Sequence, residues 1–383
     1  MRTGKGQEPG RRIQLWKCLQ KQFIGKECLV YTVTDTMGSI QGTVKEVTGG
    51  GLILECSDGL QVVNLEYVTR IREYPRNAKG KKKAFFACPR IFRRRNMFLA
   101  KDWKDFAILD AGNGNKLERW GDVTLLRPDP QAVWPMEPHT ADAVYLRAGT
   151  GGGHWEYARE LPESWKIRYK GLTFVVRPTG FKHTGLFPEQ AVNWDFMAGE
   201  IGRYMQTRGK APRVLNLFAY TGGATCACAK AGAQVVHVDA AKGMVQWAKD
   251  NAAASGLEEA PIRYIVDDCL KFVRREQRRG NFYEGILMDP PSYGRGPGGE
   301  MWKIETGLYE LVQECVKILS PDPCFFLINS YTTGLAPSVL KNVLTVALPA
   351  GIVQAEEVGL PIRREDLVLP CGATGRWMPC SHA

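Results

Sequence analysis

No stretch of about 18 or more apolar residues occurs in the 383-residue chain, so no membrane-spanning helix is expected. The N-terminus, Met-Arg-Thr-Gly-Lys-Gly, lacks the apolar core of a secretory leader, and a cytoplasmic protein is expected. There are 11 cysteines, an odd number, and no Cys-x-x-Cys pair among them. Reduced, mostly buried thiols follow, with neither a disulfide framework nor a metal site. The phosphate-cradling G-x-G-x-x-G run is not spelled out at the strand–turn–helix unit around Gly222-Gly223, which favours a nucleoside over a pyrophosphate ligand there. Acidic residues are absent from Arg76 to Arg95, where Lys79, Lys81, Lys82, Lys83, Arg90, Arg93, Arg94 and Arg95 accumulate. Such a block reads either as a solvated tether or as a nucleic-acid arm. With the net charge of +11, it favours a polyanionic partner.

The most informative stretch is Val214-Leu-Asn-Leu-Phe-Ala-Tyr-Thr-Gly-Gly223. It begins as an apolar strand, turns through two glycines and continues as the helical Ala224-Thr-Cys-Ala-Cys-Ala-Lys-Ala231. Glycine lets backbone approach a ligand closely, and the turn aims a helix N-terminus at it. Val235-Val-His-Val-Asp239 is a second apolar strand ending in a carboxylate, the place where doubly wound folds accept a ribose diol. Two more strand ends agree: Tyr264-Ile-Val-Asp-Asp268 and Gly285-Ile-Leu-Met-Asp289-Pro-Pro-Ser-Tyr293.

On the Leu-Phe-Ala-Tyr-Thr-Gly, Val-Asp and Asp-Pro-Pro segments, the chain resembles a class I S-adenosylmethionine (SAM)-dependent methyltransferase. In detail it resembles bacterial enzymes that methylate cytosine C5 or guanine N7 of large-subunit ribosomal RNA. The resemblance runs from about Met97 to the C-terminus. It implies an α/β fold: a Rossmann-like, mostly parallel sheet whose last strand, within Gly372–Pro379, is a reversed edge strand beside strand six. It further implies that Phe218, Tyr220 and Gly222, with Thr221 between them, line the methionine part of SAM. Asp239 would take the ribose hydroxyls, and Asp268 with the Cys269 backbone would read the adenine amino group. Asp267 competes with its neighbour for that role. Lys182–Gln190, containing Phe187 and Gln190, matches the segment that closes over the cofactor.

The remaining chain divides by pattern. Residues 1–75 hold a short amphipathic stretch, Ile13–Gln20, and then strands at spacings of about ten residues, which resemble a small Sm-like β-barrel. Residues 76–96 are the basic linker, and 97–187 a β-rich extension similar to the RNA-substrate part of the ribosomal RNA enzymes. In that extension Trp165, Lys166, Arg168, Tyr169 and Lys170 form an aromatic and basic run suited to stacking on single-stranded RNA or to filling a sheet core. Residues 188–383, opening with an amphipathic helix from Gln190, are the methyltransferase domain.

Asp289, Pro290, Pro291 and Tyr293 lie where an acceptor base must arrive. The prolines fix the backbone and present carbonyls, Asp289 orients a nitrogen, and Tyr293 stacks. Arg295, in the Gly-rich loop that follows, is available for phosphate, and Asn329 and Ser330 are candidates for the same pocket. Cytosine-C5 chemistry requires a thiolate that adds to the ring. The related enzymes place it after strand five, where this chain has Tyr331; Cys371 is a distant substitute. Nitrogen methylation of ribosomal RNA is therefore the favoured reading. The alternatives are cytosine-C5 methylation, a methyltransferase for protein or a small molecule, and an RNA-binding adaptor without turnover.

Overall fold

The computed structural model describes residues 23–32, 39–48, 51–57, 59–64, 68–73, 97–148, 152–295, 301–364 and 367–380. The stretch Ile13–Gln20, the basic run Arg76–Arg95 and the loop tip 296–300 lie outside the described residues, as does the side chain of Arg295. The chain divides into two compact units, Met1–Arg95 and Asn96–Ala383.

The first unit is an antiparallel sheet of Glu27–Thr32, Ser39–Val47, Gly51–Cys56, Gly59–Asn64 and Val68–Glu73. The first strand sits between the second and the fifth. Alternation along the strands buries Cys28, Val30, Val44, Leu52 and Leu54 together, while Leu60 and Val62 stay exposed.

The second unit centres on an eight-stranded sheet. Its strands in chain order are β1 (Met97–Leu99), β2 (Arg213–Leu217), β3 (Gln234–Asp239), β4 (Ile262–Val266), β5 (Gly285–Met288), β6 (Phe325–Ser330), β7 (Gly351–Pro361) and β8 (Val368–Pro379). The helices are α1 (Ala191–Arg208), α2 (Gly223–Lys230), α3 (Lys242–Ala254), α4 (Cys269–Arg278), α5 (Ile304–Val316) and α6 (Pro337–Ala347). The spatial order is β4-β3-β2-β5-β6-β8-β7-β1. The core strands are buried on both faces, as parallel strands between helix layers must be. Leu215, Val236, Ile286 and Phe326 face one apolar cluster; Val214, Val235, Leu287 and Phe325, one residue away on each strand, face the other.

The position of β8 corrects the expected edge strand. It is reversed, as expected, but lies inside the sheet, antiparallel to β6 on one side and to β7 on the other. The outer place belongs to β1, which pairs in parallel with β7. Arg376 of β8 locks that edge: its guanidinium lies 3.9 Å from the Phe98 ring centre and 4.6 Å from that of Phe196.

The β-rich extension is a second sheet of Phe106–Gly112, Asn115–Trp120, Val123–Pro128, Ala143–Arg147 and Gly153–Tyr157, followed by the hairpin Trp165–Tyr169/Leu172–Val176. Asn115–Trp120 was not expected from its hydropathy, because its inward position 118 carries a glutamate. Glu118 is 1% exposed and accepts bonds from Arg127 Nε at 2.6 Å and Nη2 at 2.8 Å. Arg127 Nη1 donates in turn to the Lys182 carbonyl at 2.6 Å. Tyr169 also departs from the RNA-stacking option: it is buried, its ring 4.7 Å from Trp103 and 5.8 Å from Trp194, and its hydroxyl donates to Asp195 at 2.7 Å. Lys170 pairs with Asp102 and Asp195. The run therefore packs the extension onto α1, and one apolar cluster extends from Phe106, Trp120 and Phe174 to Trp194, Val214 and Phe325.

Removing one partner of a buried ion pair strands the other. Glu118→Ala is expected to lower unfolding free energy by about 3–5 kcal/mol, read as a shifted urea midpoint. A change below about 1 kcal/mol would mean that the pair is dispensable.

Candidate functional site

The carboxyl ends of β2, β5 and β6 meet the start of α1 around one cavity. Its walls include Leu186, Phe187, Gln190, Asn193, Trp194, Phe218, Tyr220, Thr221, Asp289 and Asn329. Between β2 and β5 the sheet reverses its winding, the place where open parallel sheets bind ligands.

The loop after β2 makes the first wall, and its backbone is unusual. Phe218 has φ +53° and Tyr220 has φ +50°, both left-handed without being glycine. Such conformations cost energy and persist only where the surroundings fix them. Here the Phe218 N–H donates to Cys269 Sγ at 3.3 Å, the Ala219 N–H to the Val238 carbonyl at 3.1 Å, and the Tyr220 N–H to Asp239 Oδ2 at 2.8 Å. Asn251 Nδ2 donates to the Thr221 carbonyl at 2.8 Å, and the Thr221 hydroxyl to the Gly185 carbonyl at 2.5 Å. Gly222 (φ +79°) takes the left-handed turn into α2, where a Cβ would lie 2.8 Å from that of Ala248.

The segment before α1 forms a second wall. The Phe187 ring centre lies 5.4 Å from that of Tyr220 and 5.2 Å from that of Tyr331. Gln190 Nε2 donates to the Tyr331 hydroxyl at 2.8 Å, and Asn193 Nδ2 donates to Gln190 Oε1 at 2.8 Å. Arg376 Nη2 then donates to Asn193 Oδ1 at 2.7 Å. Burial lowers the Arg376 pKa to about 9 and raises the Tyr331 pKa well above that of free tyrosine.

The third wall carries the chemistry. Asp289 ends β5 and accepts a bond from Asn329 Nδ2 at 3.0 Å, while Asn329 Oδ1 is buried without a partner. Burial pushes the Asp289 carboxyl up to about 7; the Asn329 amide opposes that shift and the carboxyl of Glu189 adds to it. Glu189, behind Phe187 and Gln190, is itself raised by burial. Among the described residues no lysine or arginine is in the cavity wall.

Of the residues singled out from sequence, Phe187, Gln190, Phe218, Tyr220, Thr221, Asp289 and Asn329 share this cavity. Gly222, Asp239, Asp268, Cys269, Pro290, Pro291 and Tyr293 are not in its wall. Asp239 stands directly behind, its second oxygen accepting from the Ala241 N–H at 2.8 Å; burial raises its pKa against these two bonds. Asp268 caps α4 through the Lys271 N–H at 2.8 Å. Pro291 accepts from Trp302 Nε1 at 2.7 Å, and Tyr293, 52% exposed, begins the hairpin Tyr293–Arg295/Met301–Lys303. Sequence reasoning missed Asn193, Trp194 and Asn216. Asn216 had a signal, an amide inside an apolar strand; it donates to Thr225 Oγ1 at 2.9 Å. Cys371 is also outside the wall, and burial raises its thiol pKa well above the ordinary range.

Residues 149–319 match the family model of S-adenosylmethionine-dependent methyltransferases. The chain is 36% identical to the solved SAM-dependent methyltransferase from Agrobacterium tumefaciens, covering 75% of this chain and 97% of that one, with TM-score 0.68. A putative methyltransferase solved with SAH, SMU.776, shares the fold at TM-score 0.57 and 19% identity, covering 72% of this chain and 76% of that one. A curated relative is the ribosomal RNA large subunit methyltransferase K/L of Shewanella frigidimarina, 32% identical over 154 residues, or 40% of this chain and 20% of that protein. The same enzyme of Shewanella sp. strain ANA-3 is 30% identical over 207 residues, 53% of this chain and 28% of that protein. The chain thus spans about a fifth to a quarter of the length of these curated relatives.

The raised Asp289 pKa carries a stability consequence with a definite sign. The folded carboxyl holds its proton up to about pH 7, whereas the unfolded one releases it near 3.8. Between those values the folded state binds more protons, so Asp289 reduces stability as pH rises, and the full cost is present above 7. Asp289→Asn should therefore be more stable than the unaltered protein at pH 8 and show little gain at pH 4, by urea unfolding without cofactor. Equal differences at both values would contradict the assignment.

Proposed function

The chain belongs to the S-adenosylmethionine-dependent methyltransferase family, and we propose that it methylates a base of ribosomal RNA at nitrogen. The observation that carries this reading is the meeting of the Phe218–Gly222 loop with the Asp289–Asn329 pair in one cavity. The donor set suits SAM. Aromatic rings suit a sulfonium and an adenine, and a wall without lysine or arginine among the described residues suits a cofactor without phosphate. When bound, that cofactor supplies a methyl group made electrophilic by sulfonium.

The protein's own part is alignment and proton handling. Phe218, Tyr220, Thr221 and Gly222 hold the methionine part, Phe187 and Gln190 close over it, Asp239 takes the ribose, and Asp268 with Cys269 meets the adenine. Holding donor and acceptor in line is worth about 7–11 kcal/mol of barrier. Asp289, with the Pro290 and Pro291 carbonyls, positions the acceptor nitrogen, and Tyr293 stacks on the base from its exposed hairpin. Nitrogen attack needs no covalent step. Tyr331 where a nucleophilic thiol would stand, and the raised pKa of Cys371, both weigh against cytosine C5.

Ribosomal RNA is the substrate named for the curated relatives. The charge of +11 favours the same polyanion. We assign residues 97–187 to substrate RNA, 188–383 to catalysis, 76–96 to a basic tether and 1–75 to an Sm-like barrel. A ribosomal RNA substrate favours a cytoplasmic reaction. Among the described residues no helix is long and apolar enough to cross a membrane.

Asp239→Ala should weaken SAM binding by roughly 10- to 150-fold, the loss of one charged hydrogen-bonding group, measured by calorimetry with the melting transition as a folding control. Unchanged affinity in a folded variant would remove Asp239 from the site. Methyl-tritiated SAM should label ribosomal RNA; label confined to protein or metabolites would end the RNA assignment.

A further inference from the structure

Arg376 of β8 is 5% exposed, and among the described residues no carboxylate pairs with it. Asp195, whose charge favours the cation, is already bonded by Tyr169 and Lys170. Burying a cation without a counter-ion is costly, and an apolar side chain would fill the space with less desolvation. Its N–H groups converge on the start of α1. Nε and Nη2 donate to Asn193 Oδ1 at 3.2 and 2.7 Å, and Nη2 also donates to the Val192 carbonyl at 3.1 Å.

An arginine can only donate, and that sets the direction of every bond beyond it. Asn193 must turn its oxygen to the guanidinium, which leaves Nδ2 to donate to Gln190 Oε1 at 2.8 Å. Gln190 then has only its NH2 for the Tyr331 hydroxyl, 2.8 Å away. Without the arginine, both amides could turn over and bond the same neighbours in reverse. Asn193 and Gln190 belong to the cavity wall, whereas Arg376 and Tyr331 do not. With both amide oxygens engaged, the two residues have only N–H groups left for a ligand.

We propose that Arg376 is a positioning residue for the cofactor, fixing the Asn193 and Gln190 amides in one orientation without touching a ligand itself. This rests on the SAM reading of the cavity and deepens it. The charge at one end of the relay strengthens each donation along it. At the other end Tyr331 stands 5.2 Å from the Phe187 ring, so the closing segment is held by the same chain of bonds. Phe98 of β1 lies against the guanidinium at 3.9 Å, which ties the outer strand of the sheet to the cavity wall.

Calorimetry with S-adenosylhomocysteine reads this without turnover, and the melting transition reports folding. Arg376→Met keeps the bulk and removes the donors. It should weaken binding by roughly 5- to 50-fold, within the coupling found inside one hydrogen-bond network. Tyr331→Phe removes the far end of the relay and should weaken binding by roughly 2- to 10-fold, the loss of one hydrogen bond. The double variant should bind little worse than Arg376→Met alone. Effects that multiply would mean that the two residues act independently and would overturn the proposal. Unchanged affinity in a folded Arg376→Met would do the same. Asn193→Asp keeps the bond from Arg376 as an ion pair but cannot donate to Gln190. Its melting temperature should hold or rise while its affinity falls. If both hold, Arg376 serves stability alone and the relay is refuted. Should Arg376→Met not fold, the same cycle is run between Asn193→Asp and Tyr331→Phe, with the same two readings. Absence of binding by the unaltered chain would end the cofactor reading and this inference together.

Discussion

The sheet reverses its winding between β2 and β5, and the cavity depends on that reversal. Strands β2, β3 and β4 step outward in one direction, and β5 and β6 in the other. The connections that follow β2 and β5 therefore leave toward opposite sides, and a crevice opens between them without any side chain being removed. The loop after β2, the carboxylate after β5 and the amide of β6 then face one another because parallel pairing fixes their heights. Leu217 stands beside Met288, and Met288 beside Ile328. Asp289 and Asn329 are each the next residue along, close enough for their 3.0 Å bond.

What the reversal leaves open, hydrogen bonds then stiffen. The loop after β2 adopts two left-handed residues, a conformation it would not hold alone. Its backbone is gripped by Cys269 from α4, Asp239 from β3 and Asn251 from α3. Asn251 Oδ1 also accepts from the Val175 N–H at 2.8 Å, so the extension's hairpin and the loop share one amide. The closing segment is held likewise, with Arg127 on the Lys182 carbonyl and Trp247 against Gly185, where a Cβ would lie 2.2 Å from the ring. The β-rich extension is therefore part of the site's frame, and its core is continuous with that of the catalytic sheet.

Much of this was legible before the coordinates. Apolar runs ending in Asp239 and Asp289 marked strand ends, because a parallel strand buried on both faces shows itself as an unbroken hydrophobic run, and the shorter run before Asp268 marked the edge strand beside them. Legibility failed where polar residues do inward work. Glu118 hid the strand Asn115–Trp120, since a buried glutamate paired with Arg127 leaves no hydropathy signal. Tyr169 and Lys170 resembled an RNA-facing pair because their partners, Asp102 and Asp195, are 25 or more residues away in sequence and visible only in three dimensions. The place of β8 was misjudged for a similar reason. Nothing local in Val368–Pro379 says that Met97–Leu99 will return to cover the outside of β7. For Asn193 and Trp194, the apolar face of α1 reads as packing whether it meets a sheet or a cavity.

The two cavity-side acids differ in a way that bears on how the site is set. Asp239 accepts two backbone N–H bonds, so its carboxylate is supported whether or not a ligand is present. Among the described residues Asp289 has a single amide partner and no cation beside it in the wall, so its charge has less support than that of Asp239. A cationic cofactor reverses that balance, because a positive charge nearby favours the ionised form and draws the pKa down. The arrival of the methyl donor would thus itself deprotonate Asp289. An ionised Asp289 can only accept, which fits the 3.0 Å bond that it receives from the Asn329 amide. The low polarity that makes Asp289 costly to ionise would therefore couple its proton to the charge of a bound cofactor.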